Sequence, residues 1–116
     1  MHPIKRVIAV ITLLAGSTAM AQTKLPDGPI RMVVPFAPGG GVDSAARLIA
    51  KQLGTNLNLS VLVENKPGAN GSVGGKFVQS ANPDGMTLLF SASTHALAKQ
   101  VMANPPYDPQ TDFSAV

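Results

Sequence analysis

The sequence has no cysteine and no tryptophan, a single tyrosine, and only 13% charged residues. Without cysteine there is no disulfide scaffold, no thiolate zinc site and no thiol nucleophile, and no lipid can attach through an N-terminal cysteine. Histidine is almost as scarce, with His2 and His95 only. No metal constellation can be assembled from two distant imidazoles, and no cofactor is expected. No apolar run reaches the roughly 20 residues that a bilayer-spanning helix needs. What remains is a chain of 116 residues, 45% hydrophobic, punctuated by 11 glycines and 10 prolines. That length allows one domain at most, and the composition is neither disordered nor polyelectrolyte.

The first 21 residues read as an address. His2, Lys5 and Arg6 precede the apolar run Val7 to Ala15, and Ala19-Met20-Ala21 follows as a small-x-small cleavage site. The expected mature chain begins at Gln22, after export across a membrane. Lys5 and Arg6 leave with the leader, so the nine basic residues fall to seven against six acidic ones. The apparent basicity therefore belongs to the leader, and the mature chain offers no electrostatic footprint for nucleic acid.

Three strand–loop–helix units follow. Ile30 to Val34 is a mostly apolar run closed by Pro35, as expected of a buried strand. Pro38-Gly39-Gly40-Gly41 must turn. Asp43 and Ser44 are both N-cap candidates for a helix with Val42, Ala46, Ile49 and Leu53 at helical spacing, closed by Gly54. Leu57, Leu59, Val61 and Val63 alternate with less apolar residues and predict a second strand. The loop Asn65 to Gly71 leads to Ser72, a cap candidate for a helix with Val73, Phe77 and Val78 on one face. Gly74 and Gly75 weaken that helix by about 1 kcal/mol each, so a close packing contact or backbone access should explain them. Asn82-Pro83-Asp84-Gly85 is a turn. Thr87 to Phe90 is a third strand, followed by Ser91, Ser93, Thr94 and a weaker helix with Leu97 and Val101 in phase. Alternating strands and helices predict an α/β fold with a parallel sheet, flanking helices and right-handed crossovers.

Both glycine-rich loops then lie at carboxyl ends of strands and open into helices, and Ser91 to Thr94 lies at the same edge. Ligands of open parallel sheets bind there. Backbone N–H groups at a helix start lack intrahelical partners, and the helix dipole adds positive charge, so each loop offers an anion site. The alternative is that these glycines merely make tight turns. Phosphate-binding motifs do not fit: no Gly-Lys-Ser/Thr follows Gly41, and Ser44 stands where a dinucleotide motif needs its third glycine. Gly68-Ala69-Asn70-Gly71 has the form of a KH clamp but lacks a basic surface. Asp43 is either a structural cap or a ligand contact for an amine or ordered water; it would repel a carboxylate directly. His95 reads as a packing or surface residue, and Tyr107 and Phe113 as packing for the terminal segment.

Four strings are distinctive: Pro29-Ile30-Arg31-Met32-Val33-Val34-Pro35-Phe36-Ala37-Pro38-Gly39-Gly40-Gly41-Val42-Asp43, Val63-Glu64-Asn65-Lys66-Pro67-Gly68-Ala69-Asn70-Gly71, Asn82-Pro83-Asp84-Gly85-Met86-Thr87-Leu88-Leu89, and Tyr107-Asp108-Pro109 with Asp112-Phe113. Together they resemble the Bug family, the periplasmic substrate-binding receptors of tripartite tricarboxylate transporters. The resemblance implies one partial lobe of a two-lobed periplasmic binding protein, type II-like, with residues 22–116 forming the N-terminal part of lobe 1 and the second lobe absent. It implies a monomeric, non-enzymatic receptor that captures a small carboxylic acid for membrane permease subunits. The implied ligand contacts are Phe36, Pro38, Gly39, Gly40, Gly41 and Asp43 in the first loop and Gly68, Ala69, Asn70, Gly71 and Ser72 in the second, with Ser91 and Thr94 in the third. Val42 replaces a hydroxyl residue common in the family, Asn70 stands where glycine is usual, and Met86 where tyrosine is frequent. Two other readings stay open: a secreted α/β hydrolase fragment, with Ser72 or Ser91 beside His95, and a short interaction domain using an exposed sheet edge.

Overall fold

The computed structural model describes residues 24–116, so the expected leader lies outside the described residues. The elements run β1 (Ile30–Val34), α1 (Gly41–Leu57), β2 (Val61–Asn65), a 3₁₀ turn (Ala69–Gly71), α2 (Ser72–Gln79), β3 (Thr87–Leu89), α3 (Ser93–Ala96) and α4 (Ala98–Val101). The three strands form one parallel sheet in the order β2-β1-β3. The central strand is the one whose backbone is covered on both sides, which is why β1 has the most continuous apolar run. Ile30, Met32, Val33 and Val34 are all buried.

Helices cover both faces. Met32 and Val34 pack with Ala46 and Ala50 of α1, and Phe36, Val42, Leu53, Val61, Val63 and Phe90 close this cluster. The opposite face of β1 carries Arg31 and Val33 and receives α2. Its contact is made by glycine. A Cβ on Gly74 would lie 2.7 Å from Pro35 Cβ and 2.9 Å from Pro35 Cα, and one on Gly75 would lie 2.7 Å from Cζ of the Tyr107 ring. The two helix-weakening glycines are thus close-approach positions, as their cost in propensity suggested.

Several local boundaries differ from the sequence reading. Helix α1 does not close at Gly54 but runs to Leu57 and ends on Asn58 in the left-handed conformation, φ 53°. Asparagine tolerates that region and serves as a helix terminator in place of glycine. Gly54 instead makes room for the returning chain: a Cβ there would lie 2.8 Å from Leu59 O. Strand β2 consequently starts at Val61, not Leu57. The buried face of α1 keeps Val42, Ala46 and Leu53 of the expected stripe but takes Ala50 in place of Ile49, which is 46% exposed. Alanine lets the helix axis approach the sheet more closely than leucine or isoleucine would. Neither Asp43, Ser44 nor Ser72 is a cap: the N-cap positions are Gly40 and Gly71, without side-chain cap bonds. Val73 is exposed, and the expected last helix is two short segments, α3 and α4.

Candidate functional site

Parallel register decides where the loops go. Val34 of β1 pairs with Asn65 of β2, and Val33 pairs with Leu89 of β3. All three strands therefore end at one edge, and residues 35–40, 66–71 and 90–92 leave the sheet there. The two glycine-rich bends and the third polar segment share that rim, as the strand order requires.

The first loop rises from Pro35 to Gly40. Pro38, Gly39, Gly40 and Gly41 are exposed at its crest, and Phe36 is half-buried beneath them. Asp43 occupies the third helical position and is only 3% exposed. Its Oδ2 accepts from the Gly39 N–H at 2.9 Å and from Arg47 Nε at 3.0 Å, and its Oδ1 accepts from Asn65 Nδ2 at 2.9 Å. Asn65 Nδ2 also donates to Phe36 O at 3.1 Å, and Arg47 Nη2 donates to Asn65 Oδ1 at 3.2 Å. The Arg47 bond first, then the Gly39 N–H and the Asn65 amide, hold the Asp43 carboxyl at about 2, below the usual 3.8. A carboxylate with this many donors stays ionised and cancels the nearest cation. It also takes the Gly39 N–H out of the set of free donors. The N–H groups of Gly40, Gly41, Val42 and Asp43 have no intrahelical acceptor, and no hydrogen bond between described residues uses them. They form a positive helix end whose neighbouring ion pair is neutral overall.

The second loop is more contorted. Gly68, Ala69, Asn70 and Gly71 have successive φ values of 132°, 45°, 54° and 86°. Two of the four are not glycine, so the backbone is strained here, by roughly 1–2 kcal/mol at Ala69. Gly68, Ala69 and Asn70 are exposed, whereas Gly71 and Ser72 are buried. Gly71 backs onto the first loop: its missing Cβ would lie 3.4 Å from Pro35 and 3.7 Å from the Phe36 ring. The two loops are thus in contact, and α3 packs beside the Ala69–Gly71 turn. That brings Ser91 and Thr94, both half-buried, to the same end of the molecule. Thr94 Oγ1 is a buried hydroxyl with no hydrogen-bond partner among the described residues.

His95 belongs to another arrangement. Its ring stacks on Tyr107 at 5.1 Å, meets Phe113 edge-on at 4.6 Å, and its Nδ1 lies 3.2 Å from the Tyr107 hydroxyl. Burial pushes its pKa below the ordinary value. Among the described residues, no serine hydroxyl is hydrogen-bonded to it. The described residues contain no cluster of three or more potential metal ligands. The sequence reading missed two contributors, Asn65 and Arg47. Both had a signal. The period-two pattern of β2 carries Asn65 to the same face as Val61 and Val63, toward α1, and Arg47 is one helical turn from Asp43.

The chain matches the sequence model of the tripartite tricarboxylate transporter family receptor over residues 45–116. It is 40% identical over 108 residues to a UPF0065 protein of Bordetella bronchiseptica, covering 92% of this chain and 32% of that protein. Among solved structures, it superposes on the periplasmic binding protein BugD with a TM-score of 0.72 at 42% identity, over 76% of this chain and 29% of BugD. MatC from Rhodopseudomonas palustris with bound malate superposes with a TM-score of 0.70 at 36% identity, over 76% of this chain and 30% of MatC. The chain spans about a third of the length of the curated relatives it matches.

Proposed function

The chain belongs to the tripartite tricarboxylate transporter receptor family, and from that premise we propose that it carries one wall of a periplasmic site that captures a small carboxylic acid. The observation that supports this reading most strongly is the row of N–H groups from Gly40 to Asp43 at the sheet rim, free of acceptors among the described residues and backed by a helix of 17 residues. Such a helix start binds a carboxylate with no positively charged side chain in direct contact. Phe36, Pro38 and Gly39 shape this loop, with Gly40 and Gly41 offering amides. Asp43 acts through the backbone, holding Gly39 in place rather than meeting the anion.

Gly68, Ala69, Asn70, Gly71 and Ser72 form the second side of the proposed grip. The left-handed run turns the amides of Ala69 and Asn70 away from the helical direction, and no hydrogen bond between described residues uses them. Ser91 and Thr94 supply hydroxyls from the third segment, and Thr94 Oγ1, unpartnered among the described residues, supports its assignment. The ligand class is a mono- or dicarboxylate, as malate is for MatC. The role is binding, not catalysis; in the full-length receptor the bound acid passes to membrane permease subunits. The receptor acts as a monomer in the periplasm, after removal of residues 1–21.

Gly41→Pro tests the amide mechanism. Gly41 is the first helical residue and Gly40 is already extended, φ −77° and ψ 173°, so proline fits both positions without breaking the helix. It removes one donor from the rim and leaves the fold. Calorimetric titration of the full chain with malate should show binding weakened by about tenfold or more, the worth of one bond to a charged acceptor, at an unchanged melting temperature. Undiminished affinity would overturn the helix-end reading.

A further inference from the structure

We propose that the open edge of β2 is a docking strand for an extended, acidic peptide segment. In the β2-β1-β3 order, β2 has a strand on one side only among the described residues. Ile30 N–H donates to Ser60 O at 2.9 Å and Lys66 N–H donates to Val34 O at 2.8 Å. In a parallel ladder the N–H and C=O of one residue point the same way and alternate along the strand. Ser60, Leu62, Glu64 and Lys66 therefore turn toward β1, and Val61 and Val63 turn their N–H and C=O outward. Those four groups are a ready template for one more strand.

Charge selects the occupant. On the α1 side, the groove along this edge is lined by Arg47, Ala50, Lys51, Val61, Leu62 and Val63. On the other side, Arg31 and Lys66 share the Glu64 carboxylate, at 2.6 and 3.0 Å, and both lie over the Phe77 ring, at 5.0 and 4.3 Å. Four cations thus flank the edge against two carboxylates, Glu64 and the buried Asp43. Asp27, Asp84, Asp108 and Asp112 are carried by other segments, with Asp27 paired to Lys24. The described chain is nearly neutral, so this excess is local. Two copies meeting edge to edge would set these cations against one another, which disfavours self-pairing and favours a partner with carboxylates. Leu62, 54% exposed on the face that α2 leaves open, supplies an apolar contact for an alternating side chain.

The surface is distinct from the loop rim, so its failure would leave the carboxylate reading untouched. The test is amide hydrogen exchange on the full chain with a blocked pentapeptide alternating glutamate and valine. Saturating peptide should slow exchange at Val61 and Val63 by about tenfold or more, leaving Leu62 and Glu64 unchanged, since these already bond β1. Methylating alternate peptide nitrogens should abolish the effect, and Lys51→Glu should weaken binding about threefold, more at low salt. Unprotected Val61 and Val63, or equal binding of the lysine counterpart of the peptide, would overturn the proposal. So would protection that appears without peptide and grows with protein concentration, which would assign the edge to a second copy of the chain.

Discussion

Asp43 and Asn65 are 22 residues apart in the chain and joined by a 2.9 Å hydrogen bond from Asn65 Nδ2 to Asp43 Oδ1. The bond ties the first turn of α1 to the last residue of β2, and Asn65 reaches on to Phe36 O in the first loop. One buried carboxylate and one amide thereby set the shape of the crest from which Gly40 and Gly41 present their N–H groups. Arg47 closes the ring of contacts from outside and neutralises the charge.

The pH dependence of this lock has a definite sign. Asp43 is held at about 2 in the fold against 3.8 ordinarily, so its contribution to stability is full above the higher value and is lost as pH falls through the lower one. Asp43→Asn should lower the melting temperature at neutral pH and accelerate hydrogen exchange at the Gly39 amide. The gap between variant and parent should narrow steadily from pH 4 to pH 2. A gap independent of pH would show that the carboxylate charge contributes nothing.

Gly75 packs against the ring of Tyr107, which is 5% exposed. Gly75→Ala should gain about 1 kcal/mol of helix propensity and lose more than that to overpacking, about 1–3 kcal/mol. Chemical denaturation should show the net loss. Combining it with Tyr107→Leu should give a double variant less destabilised than the two single losses added together, because the ring that clashes is gone. Strict additivity would mean that the two side chains do not compete for space.

Ala69 and Asn70 both adopt left-handed φ, 45° and 54°, yet they should respond differently to glycine. Alanine pays a steric penalty of about 1–2 kcal/mol there, partly offset by the extra chain entropy of glycine, about 0.5–1 kcal/mol. Ala69→Gly should therefore be neutral to about 1 kcal/mol stabilising. Asn70→Gly should be neutral or slightly destabilising, since asparagine already tolerates this region. Thermal melts of the two variants side by side will show whether the order holds.

Much of this architecture was legible in local pattern. The mostly apolar run of β1, the proline that stops it and the alternation of strands with helices were enough for a parallel sheet with its loops at one edge. Gly74 and Gly75 announced a tight contact by being costly where they stand. The choice of Ala50 over Ile49 on the buried face of α1 was not legible, because the two are neighbours that either face could take, and only the sheet surface chooses between them. The end of α1 was misplaced for a related reason: Gly54 and Asn58 are both plausible terminators, and the chain returning at Leu59 O decides which is used.

The residues that can turn, cap or bury are a property of short stretches of chain, since φ preference and apolar spacing act over a few positions. Asp43 was visible as a polar residue at a helix start, with Arg47 one turn further along the same helix as a local partner. That Asn65 would also donate to the Asp43 carboxylate depends on β2 lying beside β1 in one particular register. Hydrogen bonds require atoms within about 3 Å, and only the assembled sheet brings residues 22 positions apart to that distance.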